Sequence, residues 1–92
     1  MEIEGRLDIL RLDRPTDPEP WTYDVTYLPN RVSGWAKLHK CVGLESLVAY
    51  LGEVGILPEF IKRALEEVQK HGQTQIPTVR LTRERLEALV LL

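Results

Sequence analysis

The sequence predicts an α+β fold, in which a small antiparallel sheet of three to four strands carries two to three helices on one face. Two segments favour this class. Over residues 21–28, large apolar side chains alternate with threonine and aspartate, which is the period of a strand with one buried face. Over residues 58–70, apolar residues recur at helical spacing between a proline and a glycine that suit a helix start and end. We expect residues 1–92 to form a single domain, because this length suits one hydrophobic core.

Three antiparallel strands are expected first. Apolar residues of the first strand change parity near Ile9–Leu10, so either both of its faces are partly buried or a bulge shifts the register there. Three prolines in the loop at residues 13–20 fix the backbone, remove three donors and exclude a central strand. The strands are predicted at residues 2–12, 21–28 and 35–42.

The rest of the chain is expected to be mainly helical, with one short strand. Pro77 confines that strand to an edge of the sheet or to the start of pairing, and Thr82 suits the N-cap of the last helix. The alternative is two loosely coupled units, one rich in strands up to about residue 42 and a helical one after it. The helices are predicted at residues 44–52, 58–70 and 83–91, and the strand at residues 76–81. The buried stripe of the second helix is expected to contain Phe60, Ile61, Ala64, Leu65 and Val68.

The charge distribution argues against a nucleic-acid-binding protein. Residues 1–34 hold four arginines against seven acids, a net charge of −3, and residues 35–92 hold eight basic residues against seven acids, a net charge of +1. Nucleic-acid binding depends strongly on neutralising phosphates, and neither half is a basic field. The basic residues near 37–40 and 80–85 nevertheless keep this class as the alternative function, if the fold gathers them into one patch.

The sequence favours a cytoplasmic protein without a membrane span. No apolar run approaches the roughly 18 residues that a transmembrane helix needs. The first residues carry acids and lack the basic and then apolar order of a signal peptide. The single cysteine, Cys41, excludes an internal disulfide framework.

His39 and Cys41 come closest to a chemical motif. They lie two positions apart on the third predicted strand, so they face the same side. A zinc site needs two more ligands, and a nucleophilic cysteine needs a base with an orienting acid; the sequence indicates neither set. We therefore expect a buried thiol and a half-exposed imidazole, and no catalytic residues, cofactor or metal. The acids of the 13–20 loop are expected to be ordinary solvating residues.

Aromatic and apolar residues near the ends of elements are the candidates for partner binding. Trp21 and Trp35 stand at strand ends beside loops, where tryptophans can anchor a partner. Leu91 and Leu92 extend the apolar surface of the last helix. The sequence therefore predicts a small non-enzymatic protein–protein interaction module, as a homodimer or as a subunit of a larger assembly.

Overall fold

The strands and helices follow one another along the chain in the predicted order. The computed structural model describes residues 2–30 and 36–90, without the side chains of Lys37 and Val90. The elements are β1 (Glu2–Arg11), β2 (Thr22–Pro29), β3 (Lys37–Val42), α1 (Leu44–Val54), α2 (Pro58–His71), β4 (Gln73–Thr82) and α3 (Arg83–Val90). The strands form one sheet in the order β3-β2-β1-β4, and every neighbouring pair is antiparallel. The predicted α+β class, with a small antiparallel sheet and helices, is confirmed.

β4 returns to the sheet after the two central helices and pairs with β1. It begins directly after Gly72, which ends α2 with a positive φ of 80°, a backbone conformation that favours glycine. β4 is therefore longer than predicted, because pairing starts within one residue of the end of the helix. As its proline indicates, β4 is an edge strand of the described sheet.

The pairing of β1 with β4 contains one irregularity, and the extra residue belongs to β4. Pairing with both neighbours is continuous through Ile9–Leu10, so the bulge, one of the two alternatives that the sequence left open, does not occur there. The register shifts instead between Gly5 and Leu7, opposite Pro77 and Thr78 of β4. Proline has no N–H to donate to the ladder, which explains why the extra residue is accommodated at this point.

The core lies between the sheet and the helices. Ile61, Ala64 and Val68 form the buried stripe of α2, whereas Leu65 is only partly buried and Phe60 is 44% exposed. The prediction that Phe60 is buried is wrong, because α2 packs mainly on the edge strand β4 and its Phe60 side borders the outside of the sheet. No described helix is long and apolar enough to cross a membrane. The other core members are Leu7, Ile9, Tyr23, Val25, Tyr27, Cys41, Leu47, Leu51, Val54, Ile76, Val79, Leu81, Leu86 and Leu89.

Candidate functional site

The side chain of Trp21 is held in place by contacts within its own chain. Its indole Nε1–H donates a hydrogen bond of 2.9 Å to the carbonyl oxygen of Asp17. The Arg11 guanidinium lies 4.8 Å from the centroid of its ring, a cation–π contact. The indole also packs against the core while it lines a surface hollow with Pro20 and Leu44. Trp21 is thus partly buried, and its polar edge and one ring face are already engaged.

Only one of the four residues predicted to bind a partner, Trp21, belongs to the described part of the chain. Trp35, Leu91 and Leu92 lie outside the described residues. Their role in partner binding stays a prediction.

Acids of the loop between β1 and β2 fix the loop. Asp13 Oδ2 accepts a hydrogen bond of 2.6 Å from the backbone N–H of Thr22, and Asp17 Oδ2 accepts one of 2.8 Å from the N–H of Arg14. The expectation that these acids only face solvent is wrong for this pair. Backbone N–H groups of a loop have no ladder partners, and the short side chains of aspartate provide acceptors for them.

The fold separates the basic residues on which a nucleic-acid interface would depend. Lys40 lies on β3 and Arg80 on β4, the two opposite edges of the sheet, three strand spacings or roughly 14 Å apart. Arg80 is also paired with Glu4, with 3.1 Å between Nε and Oε2. Arg85 donates to the backbone carbonyl of Glu53. These residues therefore do not gather into one patch on the sheet.

The His39 and Cys41 pair belongs to the packing of α1 on β3. Cys41 is fully buried, as predicted, and its burial raises the pKa of its thiol, which keeps it protonated at neutral pH. The His39 ring stacks on Tyr50 with centroids 4.1 Å apart. Burial, followed by the nearby Cys41, raises the pKa of Tyr50 to about 12. Within the described residues, no three side chains of the metal-ligating types are grouped to hold an ion.

The sheet surface opposite the helices, called the open face below, carries large apolar side chains. Val42 on β3 pairs with Thr22 on β2, and the N–H of Leu12, the residue after β1, donates to the Thr22 carbonyl oxygen over 2.9 Å, so these three residues form one row. Leu10 lies two residues before Leu12 and therefore faces the same side of the sheet. Antiparallel sheets with one solvated face usually place polar residues there. The exposed apolar residues of the open face are Leu10 (47%), Leu12 (46%), Leu38 (53%) and Val42 (60%).

Asp24 lies within this apolar surface with an unsatisfied acceptor. Its Cα partners are Leu10 on β1 and Lys40 on β3. Its Oδ1 atom is buried and has no hydrogen-bond partner among the described residues. Asp8, by contrast, is bound by Arg6 Nε at 3.0 Å. Because a buried carboxylate oxygen without a donor costs free energy, Asp24 is the polar group here that a partner can satisfy.

Sequence reasoning missed the open face, although its signal was present. Leu10 and Leu12 have the opposite parity from Leu7 and Ile9, a pattern that predicts either partial burial of both faces or a bulge. The parity change instead marks two leucines on the solvated side of a regular strand.

Comparison with protein-family models, curated proteins and solved structures finds no match to the chain.

Proposed function

We propose that the protein is a small non-enzymatic, cytoplasmic interaction module that associates through the open face of its sheet. The observation that carries this proposal is the set of exposed apolar residues there, led by Val42 and Leu38. Several large apolar side chains exposed on one face, with polar residues between them, are typical of protein–protein interfaces. A cytoplasmic location is supported by the one cysteine, which is a free thiol inside the core.

A second copy of this chain is the partner that fits the open face best. On β3, Lys40 lies between two exposed apolar residues, Leu38 and Val42, and Asp24 lies beside it on β2. A two-fold axis between β2 and β3 would bring Lys40 of the partner subunit to Asp24 and, by symmetry, the same pair would form again. The buried Oδ1 atom of each Asp24 would then gain a charged donor, while the apolar residues around it would be covered.

The test is the mass of the protein in solution, by light scattering or sedimentation equilibrium. We expect a concentration-dependent dimer that Val42→Asp converts to a folded monomer. Val48→Asp is the matched control, because Val48 is an exposed valine on α1, away from the open face. A wild-type chain that remains monomeric at all accessible concentrations contradicts the homodimer.

A charge exchange tests the pairing itself. Asp24→Lys alone places lysine against lysine across the two-fold axis, and Lys40→Asp alone places aspartate against aspartate, so each variant should be monomeric. An equimolar mixture of the two should form a heterodimer, because both contacts then join opposite charges. If the mixture stays monomeric while the wild type dimerises, the chains associate through another surface.

A further inference from the structure

The outer edge of β4 is an unoccupied strand position. Within the described residues, β4 pairs only with β1. The Arg11 N–H donates to the Gly72 carbonyl oxygen over 2.8 Å, and the pairing continues with Leu10 opposite Gln73. Backbone groups of an antiparallel strand alternate in direction, so those of Gln73 and Gln75 point away from the sheet. Two N–H donors and two carbonyl acceptors are therefore available to a further strand.

Helix α2 forms one wall beside this edge. A hollow of about 150 Å³ separates the helix from the strand. Phe60 borders the hollow and is 44% exposed, and Ala64 and Ile76 supply further apolar lining. Leu57, one turn before Phe60, is 55% exposed. The hollow therefore suits an apolar side chain that projects from a strand alongside β4.

Space is also open on the other side of the same edge. A broader hollow on the open face shares Glu67, Thr74 and Gln75 with the hollow beneath α2. The two hollows therefore flank the backbone at Gln75, above and below the position that the next strand of the sheet would take. Pro77 lacks an N–H, so pairing on this edge would end there and would be short.

Arg63 is the residue of the hollow that can recognise an acidic occupant. The Arg63 guanidinium lies 6.0 Å from the centroid of the Phe60 ring and makes no ion pair with any described residue. The carboxylate of Glu67 already accepts a hydrogen bond of 2.8 Å from Thr74 Oγ1. With Glu67 directed to Thr74, the Arg63 guanidinium can bind the carboxylate of an incoming segment through two hydrogen bonds.

We propose that β4 and α2 form a docking groove for an extended peptide segment of another protein. The segment pairs its backbone with Gln73 and Gln75, inserts an apolar side chain beside Phe60, and places an aspartate or glutamate on Arg63. Alternate residues of a strand face the same side, so the apolar residue and the acid are two positions apart. The groove adjoins the open face at Gln75, but its contacts with Phe60, Arg63 and the β4 edge do not use Lys40 or Val42, so docking does not depend on self-association.

Selection from a displayed library of random linear heptapeptides tests the groove. We expect enriched peptides to share an acid two positions from a large apolar residue. Synthetic copies should shift the amide signals of Gln73 and Gln75 in ¹⁵N-resolved NMR spectra on titration. Arg63→Gln should weaken their binding at least about tenfold, the effect of losing one charged hydrogen-bonding partner. Lys62→Gln, the matched control, removes the neighbouring charge of α2 and should leave binding unchanged.

A second variant tests the strand edge directly. Gln75→Pro removes an outward N–H and should abolish binding, while the bonds between β1 and β4 remain. The proposal is overturned if no peptide is enriched on the wild-type protein relative to the Arg63→Gln variant. It is also overturned if the enriched peptides are basic. Peptides that lose affinity for Val42→Asp but not for Arg63→Gln also overturn it, because they bind the open face. Equal binding to Val42→Asp and wild type is expected whether or not the chain dimerises.

Discussion

The ring of Tyr27 on β2 lies across the backbone of Gly5 on β1. A Cβ atom at Gly5 would stand 2.8 Å from Tyr27 Cζ and 2.6 Å from the carbonyl oxygen of Leu28. The Tyr27 hydroxyl thereby reaches the carbonyl oxygen of Ile3 at 2.7 Å and that of Val79 on β4 at 3.2 Å. Because Gly5 has no side chain, the phenol of Tyr27 on β2 can reach carbonyl oxygens of both β1 and β4.

Gly5→Ala should destabilise the protein because its new methyl group overlaps backbone as well as the Tyr27 ring. We expect a loss of about 1–3 kcal/mol in the free energy of unfolding, the usual cost of overpacking a close-packed site. Urea denaturation measures this loss, provided that the dependence of the unfolding free energy on urea concentration has the same slope in both proteins. Gly52→Ala is the control: it lies on α1 with nothing within 4 Å of its Cβ, so it should stabilise the chain by up to about 1 kcal/mol. Unchanged stability of Gly5→Ala would show that the sheet opens there without strain.

Two leucine truncations compare the buried faces of the central helices. Leu51 on α1 is completely buried, so Leu51→Ala should cost about 2–5 kcal/mol. Leu65 on α2 is only partly buried, so Leu65→Ala should cost clearly less. Denaturant midpoints of the two variants give the comparison directly. An equal or larger loss for Leu65→Ala would mean that α2 turns a different face to the sheet.

The position of α2 also shows how far the sequence could predict the fold. Its proline and its following glycine fixed the helix ends closely, because both act locally. The spacing of Phe60, Ile61, Ala64 and Leu65 could not reveal how much of that stripe is covered, because coverage depends on α2 lying at the sheet edge. The apolar stripe of α2 is therefore wider than its buried stripe. Phe60, the apolar residue that stays exposed, borders the proposed groove.

The candidate sites depend on pairings that are remote in sequence. Asp24 lies between Leu10 and Lys40 only because β2 is the neighbour of both β1 and β3. Likewise, the separation of Lys40 from Arg80 follows from the strand order and from no local pattern. Alternation along one strand predicts which residues share a face, but the neighbours across strands are set by topology and register.

Alkaline pH should destabilise the protein through the phenols of the partly buried Tyr50 and the buried Tyr23 and Tyr27. The pKa of Tyr50 is raised to about 12, mainly by burial, from an ordinary value of 10.0. Below pH 10 the phenol is protonated in both the folded and the unfolded chain, so its contribution to stability is fully present. Between pH 10 and 12 the unfolded chain releases the proton while the folded chain retains it, and stability falls. Burial also raises the pKa values of Tyr23 and Tyr27, which adds to the loss.

Tyr50→Phe isolates one part of this effect. The variant keeps a ring that can stack on His39 but lacks the ionising hydroxyl. Its free energy of unfolding should therefore fall less steeply between pH 10 and 12 than that of the wild type, with the two curves parallel at neutral pH. An identical alkaline slope in both proteins would show that Tyr50 ionises without cost in the folded state.

Cys41 should be inert while the protein is folded. Its side chain is completely buried, and burial raises the pKa of the thiol, so both access and the reactive thiolate are lacking. Iodoacetamide at neutral pH should label the native protein only as fast as the chain opens, and label it promptly in denaturant. Cys41→Ala should leave the mass in solution unchanged, because Cys41 faces the core rather than the open face. Prompt labelling of the native chain, or stoichiometric zinc that Cys41→Ser removes, would instead make this thiol a functional group.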